Sequence, residues 1–271
     1  MSRSLSWTLI FICREKGYSQ DVAKKAINCF LEIGARYNYV GDLPGHSNYR
    51  EKQGDKFYKA QVEKERGDPD SSKLAKAIEI CTRTPGGGIQ FDFPVKLGIS
   101  CEEDKSNWTE VHLEFRPGWD EALDQLKVDN FVFAADFFTY LTAQAIPERE
   151  DERWHSQARV RLPRLVEVCE HVYKRMRPYM AVIIPALEIF NGKLPHLATF
   201  NIFSPELVEK IGREKITNCP WYKCETLEDG ALDCWDNQYL LYAPTITYTN
   251  EGLECFKYLE NLPIFEIAGN L

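Results

Sequence analysis

Hydrophobic positions in this chain come in short runs that switch between two periods. Residues 6–14, SWTLIFICR, form a brief apolar run rich in aromatic and β-branched residues, the composition of a buried strand. Ser19 then stands where a helix N-cap is wanted. Val22, Ala23, Ala26, Ile27 and Phe30 follow at three- and four-residue spacing and make one apolar face. Strand followed by helix is the predicted opening. Residues 42–76 break the pattern with Gly and Pro at the start, a charged centre (EKERGDPDSS) and few anchors besides Phe57 and Tyr58, which predicts a solvated insertion.

Ala77–Thr82 and Ile89–Leu97 read as two strands. Thr84, Pro85, Gly86, Gly87 and Gly88 join them as a hairpin turn, because the glycines tolerate positive φ. Trp108–Phe115 nearly alternates and reads as a third strand. Trp119–Leu126 and Phe131–Ala145 read as helices, the second apolar almost all round and therefore central, although Phe131, Val132 and Phe133 also carry strand propensity. Pro147 and the charged run EREDER, residues 148–153, mark a boundary between halves.

The second half opens with Leu162 and Pro163 starting a helix. Its Leu165, Cys169, Val172 and Met176 recur at helical spacing, and Pro178 ends it. Met180–Ile189 and Leu197–Phe203 read as strands meeting at a turn through Asn191, Gly192 and Lys193. Ser204 caps a short helix with Pro205 at its first position, Glu206 complementing its dipole and Gly212 closing it. Asp229 and Gly230 turn a hairpin between strands around Tyr222 and Leu232. Gln238–Tyr248 supplies another strand, interrupted by Pro244, and residues 251–262 a closing helix. The expected fold is α+β, a mostly antiparallel sheet with helices packed on it. Two halves of similar strand-helix grammar, 1–147 with the insertion 42–76 and 154–271, form one compact body.

Phe200, Pro205, Leu207, Val208 and Gly212, then the hairpin Leu227, Asp229, Gly230 and Ala231, then Tyr258, Leu259 and Leu262, form a recognisable series. This last quarter of the chain resembles the C-terminal part of bacterial immunity proteins of the type VI and polymorphic-toxin systems. The resemblance implies an α+β protein that binds and neutralises a cognate toxin in the cell that makes it. The matching positions are a cap, a helix and a turn, so no functional residue is carried over.

With 271 residues, 44% of them hydrophobic, the chain has ample material for a core. A formal charge of −8 argues against nucleic acid or an anionic membrane as the main partner and is compatible with a basic protein. Nine scattered cysteines, several inside apolar runs, suit reduced buried thiols. The apolar run Leu9–Cys13 is broken by Arg14 and Glu15, so neither a signal peptide nor a membrane span is expected, and a cytoplasmic location follows.

Candidate chemistry is sparse, and neither a cofactor nor a metal is expected. The Pro85–Gly88 run could cradle a phosphate, but no GK[ST] follows it and a turn is favoured. Cys219, Cys224 and Cys234 could ligate zinc with His196, yet they lack the close CxxC pairs of structural sites. No local signature marks a nucleophile among the cysteines and His46, His112, His155, His171 and His196. His112 and Glu114 share one strand face, as a base and its orienting carboxylate would, and a solvent-facing polar pair is the favoured reading. Asn107, Trp108 and Thr109 spell a glycosylation acceptor without meaning in a cytoplasm.

The strongest binding feature is an acidic, aromatic hairpin: Trp221, Tyr222, Glu225, Glu228, Asp229, Asp233, Trp235 and Asp236. Aromatic anchors with a carboxylate rim suit a basic protein partner, the rings giving desolvated contact and the charges steering approach. For the hairpin taken alone, the favoured reading has the tryptophans facing the core and the carboxylates solvating its other side. Two functions are therefore expected in turn. The favoured one is a non-enzymatic protein-binding module of immunity type. The other is an enzyme of unrecognised family acting on a small molecule in a pocket between the halves, which convergent His and carboxylate groups with perturbed pKa values would favour.

Overall fold

β1 (Trp7–Lys16) and the helix after it, α1 (Gln20–Glu32), arise as the pattern demands: the strand's apolar residues are buried, and Ser19 Oγ accepts from Val22 N. The computed structural model describes residues 7–37, 71–83, 87–94, 108–115, 128–137, 152–185, 200–235, 258–259 and 262–271. The other strands are β2 (Gly88–Pro94), β3 (Trp108–Phe115), β4 (Asn130–Phe137), β5 (Met180–Pro185), β6 (Phe200–Phe203), β7 (Lys223–Thr226) and β8 (Leu232–Trp235). The other helices are α2 (Ser71–Cys81), α3 (Glu152–Met176), α4 (Pro205–Ile211), α5 (Arg213–Thr217) and α6 (Ile264–Gly269).

All eight strands join one antiparallel sheet in the order β2-β3-β4-β1-β5-β6-β8-β7. Strands from residues 7–137 form one side of it and strands from residues 180–235 the other, meeting where β1 pairs with β5. Alternate side chains leave the sheet on opposite faces, and each face is covered. Leu9, Phe11, Phe131, Phe133 and Phe137 pack with Ala26 and Phe30 of α1, Ala77 of α2 and Leu165 and Val172 of α3. Ile10, Ile12, Val132 and Val182 pack with Leu207 and Ile211 of α4, Ile216 of α5 and Phe265 of α6. The molecule is α+β, three layers with the sheet in the middle.

Three elements differ from the pattern reading, each for a physical reason. Phe131–Phe137 is a strand, not a helix; it lies between β3 and β1 with both faces buried, so its alternation is erased by burial on each side. Ala77–Thr82 is not a strand, because Ala77–Cys81 is the end of α2. Its Leu74, Ala77, Ile78 and Cys81 form one helical stripe that starts inside the charged insertion. The Pro85–Gly88 run therefore joins helix to strand rather than two strands. Leu162 and Pro163 do not start their helix, which begins at Glu152 and carries Pro163 within it. That helix stops at Met176, where Arg177 takes a left-handed φ of 53° and its N–H donates to Tyr173 O before Pro178.

Arg164 of α3 ties the layers together. It is buried, donates to Ile33 O at 2.8 Å and lies 5.1 Å from the Phe93 ring centroid. The Ser204 cap is as expected, its hydroxyl accepting from Leu207 N at 3.2 Å. Residues 42–70, 119–126, 138–145, 191–193 and 238–248, read as insertion, helix, turn or strand, lie outside the described residues, as does most of 251–262.

Candidate functional site

The β7–β8 hairpin is built by its turn. Gly230 adopts φ 87°, and Gly230 N donates to Leu227 O while Leu227 N donates to Ala231 O. Asp229 holds this turn: its Oδ1 accepts from Ala231 N at 3.1 Å and its Oδ2 from Tyr173 Oη at 3.1 Å and from Arg177. Lys223–Thr226 pairs with Leu232–Trp235, Cys224 opposite Cys234 and Glu225 opposite Asp233.

Pairing decides which of the eight predicted binding residues reach solvent. β8 is flanked by β6 and β7, and its residues are buried throughout. Trp235 packs edge-on to Phe200, with ring centroids 5.0 Å apart, and its Nε1 donates to Asp233 Oδ1 at 2.7 Å. Burial pushes Asp233 up to about 6, chiefly by desolvation. Trp221 is half-buried against Phe203, and its Nε1 donates to Ile216 O at 2.7 Å. Tyr222, Glu225 and Glu228 are exposed, and Asp236 lies outside the described residues. Tyr222 is 49% exposed, one of two large hydrophobic side chains so placed among the described residues. The structure thus brings all seven described residues into one hairpin and gives solvent to Tyr222, Glu225, Glu228 and Asp229, the last with its carboxylate engaged in the turn.

The hairpin is also a sheet edge. Among the described residues no strand pairs with the outer side of β7. At the opposite edge Arg36 and Asp92 exchange backbone bonds of 2.8 and 2.9 Å along β2.

A second group of polar residues was misjudged by its pattern. His112 and Glu114 do not face solvent: both are buried, with Nδ1 and Oε1 3.1 Å apart. Across β2, β3, β4 and β1, Gln90, His112, Asp136 and Thr8 stand directly opposite one another. Thr8 donates to Asp136 Oδ1 at 2.5 Å. Burial first, and then the Asp136 carboxylate, push Glu114 up to about 8, which favours its protonated form beside His112. Gly88 fits here because it has no Cβ; one would lie 2.8 Å from Leu113 O and 3.0 Å from His112 Nε2. Alternation looks the same on a wet and a covered face, and the partners come from four strands far apart in sequence, so only the His112 and Glu114 pair was visible.

Cys219, Cys224 and Cys234 are free thiols, His196 lies outside the described residues, and among the described residues no group of three or more His, Cys, Asp or Glu is placed to hold a metal ion. No described helix is long and apolar enough to cross a membrane.

No protein-family model matches the chain. No curated protein matches it in sequence. Among solved structures it is similar to the Pseudomonas aeruginosa T6SS protein PA0821, with a TM-score of 0.38 and 8% identity over 96% of this chain and 73% of that one. A likeness that weak carries no inference about activity.

Proposed function

We propose that this protein is a non-enzymatic protein-binding module, an immunity-type inhibitor that captures a basic toxin on the outer side of the β7–β8 hairpin. The observation that carries the reading is the β7 edge: among the described residues no strand pairs with its outer side, and Tyr222, Glu225 and Glu228 are exposed along the hairpin. An unpaired strand offers hydrogen bonds to an added strand, an exposed ring gives desolvated contact, and carboxylates steer a cation to it. The chain's net charge of −8 favours the same partner. Trp235 and Asp233 support this face from beneath rather than touching the partner.

The test is co-purification from the native lysate with wild-type protein and with Tyr222→Ala combined with Glu225→Lys and Glu228→Lys. A stoichiometric basic protein held by wild type and lost by a folded variant supports the reading; one held equally by both removes the hairpin from it. The enzyme alternative draws on the buried Glu114, His112 and Asp136 group, whose neutral acid beside an imidazole is a proton-transfer arrangement. Turnover abolished by Glu114→Gln in a metabolite screen would favour that reading.

A further inference from the structure

Across the same hairpin, two sulfurs meet. Cys224 of β7 and Cys234 of β8 are direct cross-strand partners, and their Sγ atoms lie 2.7 Å apart, against ~2.0 Å for an S–S bond. Leu227 N bonds Ala231 O at the turn, so the alternation of an antiparallel ladder puts the Cys224 and Cys234 pair at a position without mutual backbone bonds, where Cα atoms approach to ~4.5 Å. That spacing lies within the range a disulfide spans without moving the backbone.

The two thiols are unequal. Cys224, on the edge strand, is partly exposed, whereas Cys234 is wholly buried. The hydrogen bond between them lowers the Cys224 pKa, while burial, and then that same hydrogen bond to Cys224, push Cys234 up. One sulfur is thus reachable and activated, and the other waits behind it.

We propose that Cys224 and Cys234 form a reversible dithiol site that exchanges with small-molecule disulfides, Cys224 as the attacking and Cys234 as the resolving sulfur. The Cys224 thiolate attacks one sulfur of a disulfide such as oxidised glutathione, forming a mixed disulfide and expelling one small thiolate. Cys234 gives up its proton and attacks Cys224 Sγ, forming the cross-strand bond and expelling the second. Two protein thiols are oxidised, one small disulfide is reduced to two thiols, and the protein's two protons leave on them. The bond fastens the edge strand to its neighbour, and the site exists whether or not the hairpin holds a partner.

The experiment incubates the full chain with oxidised glutathione, blocks free thiols with an alkylating agent and maps the digest by mass spectrometry without reduction. Wild type is expected to lose two alkylatable thiols and yield one peptide pair joined through Cys224 and Cys234, restored by dithiothreitol. Cys234→Ser, and Cys234→Ala should the serine destabilise the core, are expected to stop at a stable glutathione adduct on Cys224. Cys224→Ser is expected to leave Cys234 unmodified. Wild type that keeps both thiols alkylatable, or that holds glutathione on Cys224 without resolving it, overturns the proposal.

Discussion

The two lateral edges of the sheet end in opposite ways. At β2 the last strand is sealed: Arg36 bridges Asp92, Phe91 and Phe93 are buried, and α2 packs alongside. At β7, among the described residues, no strand pairs with the outer side, and the strand is four residues long with Lys223, Glu225 and Thr226 exposed. The same residue type behaves accordingly. Glu114, on β3 next to the β2 edge strand, is buried with its pKa pushed up to about 8, while Glu225 stays exposed beside Lys223 at 2.9 Å. Position in the sheet, not residue identity, decides whether a carboxyl group is pushed toward its protonated form or stays a surface charge.

The comparison breaks most sharply at Phe93. This fully buried ring packs edge-on to Phe137 at 5.6 Å and lies against the Arg164 guanidinium. Phe93→Ala is expected to cost about 3–5 kcal/mol, read as a lowered urea midpoint. A loss under about 1 kcal/mol would mean the β2 edge is as loose as the β7 edge.

Next comes the pH dependence of the sealed wing. Glu114 has its folded pKa raised from 4.5 to about 8, so the folded state holds a proton that the unfolded chain has released. Its contribution is complete below 4.5, declines as pH rises, and is gone above about 8. Wild type is expected to lose thermal stability across that window and Glu114→Gln to lose much less, with Asp136 and His112 in place in both. Parallel Tm curves for the two proteins would show that the carboxyl is hydrated.

Much of this contrast could be seen in the sequence only in part. β1, α1, the Ser204 helix and the Asp229 turn were legible because each carries its own local signal: an aromatic run, a cap, a proline, a glycine. β4 was not, because a strand buried on both faces has no polar side to alternate with. α2 was hidden by composition, its stripe beginning among charges. Seven of the eight hairpin residues lie in the described hairpin, but which of them meet water follows from β8 lying between β6 and β7, a fact of pairing that no spacing within the hairpin records. The Gln90, His112, Asp136 and Thr8 row is invisible for the same reason.

Asp229 separates the turn from the surface it presents. Its carboxylate accepts from Tyr173, Arg177 and Ala231, so Asp229→Ala leaves three donors to find water and is expected to cost about 1–2 kcal/mol in chemical denaturation. Asp229→Asn keeps an acceptor oxygen and should recover part of that loss. Equal losses would mean that the carboxylate charge toward Arg177, rather than the turn bonds, holds the hairpin.

The smallest expected effect is the most discriminating for the open edge. Glu225→Lys removes an exposed ion pair with Lys223, whose side chains are 58% and 43% accessible, and pairs of that kind contribute about 0–1 kcal/mol. Reversing the charge also puts two lysines on one four-residue strand, but water screens both, so stability is expected to change by no more than about 0.5 kcal/mol at physiological salt. Salt dependence then distinguishes two cases. A small loss that vanishes in high salt is a solvated edge, free to receive a partner. A loss of several kcal/mol that persists in salt would mean that Glu225 is desolvated in the folded chain, and that the β7 edge is already occupied by the protein itself.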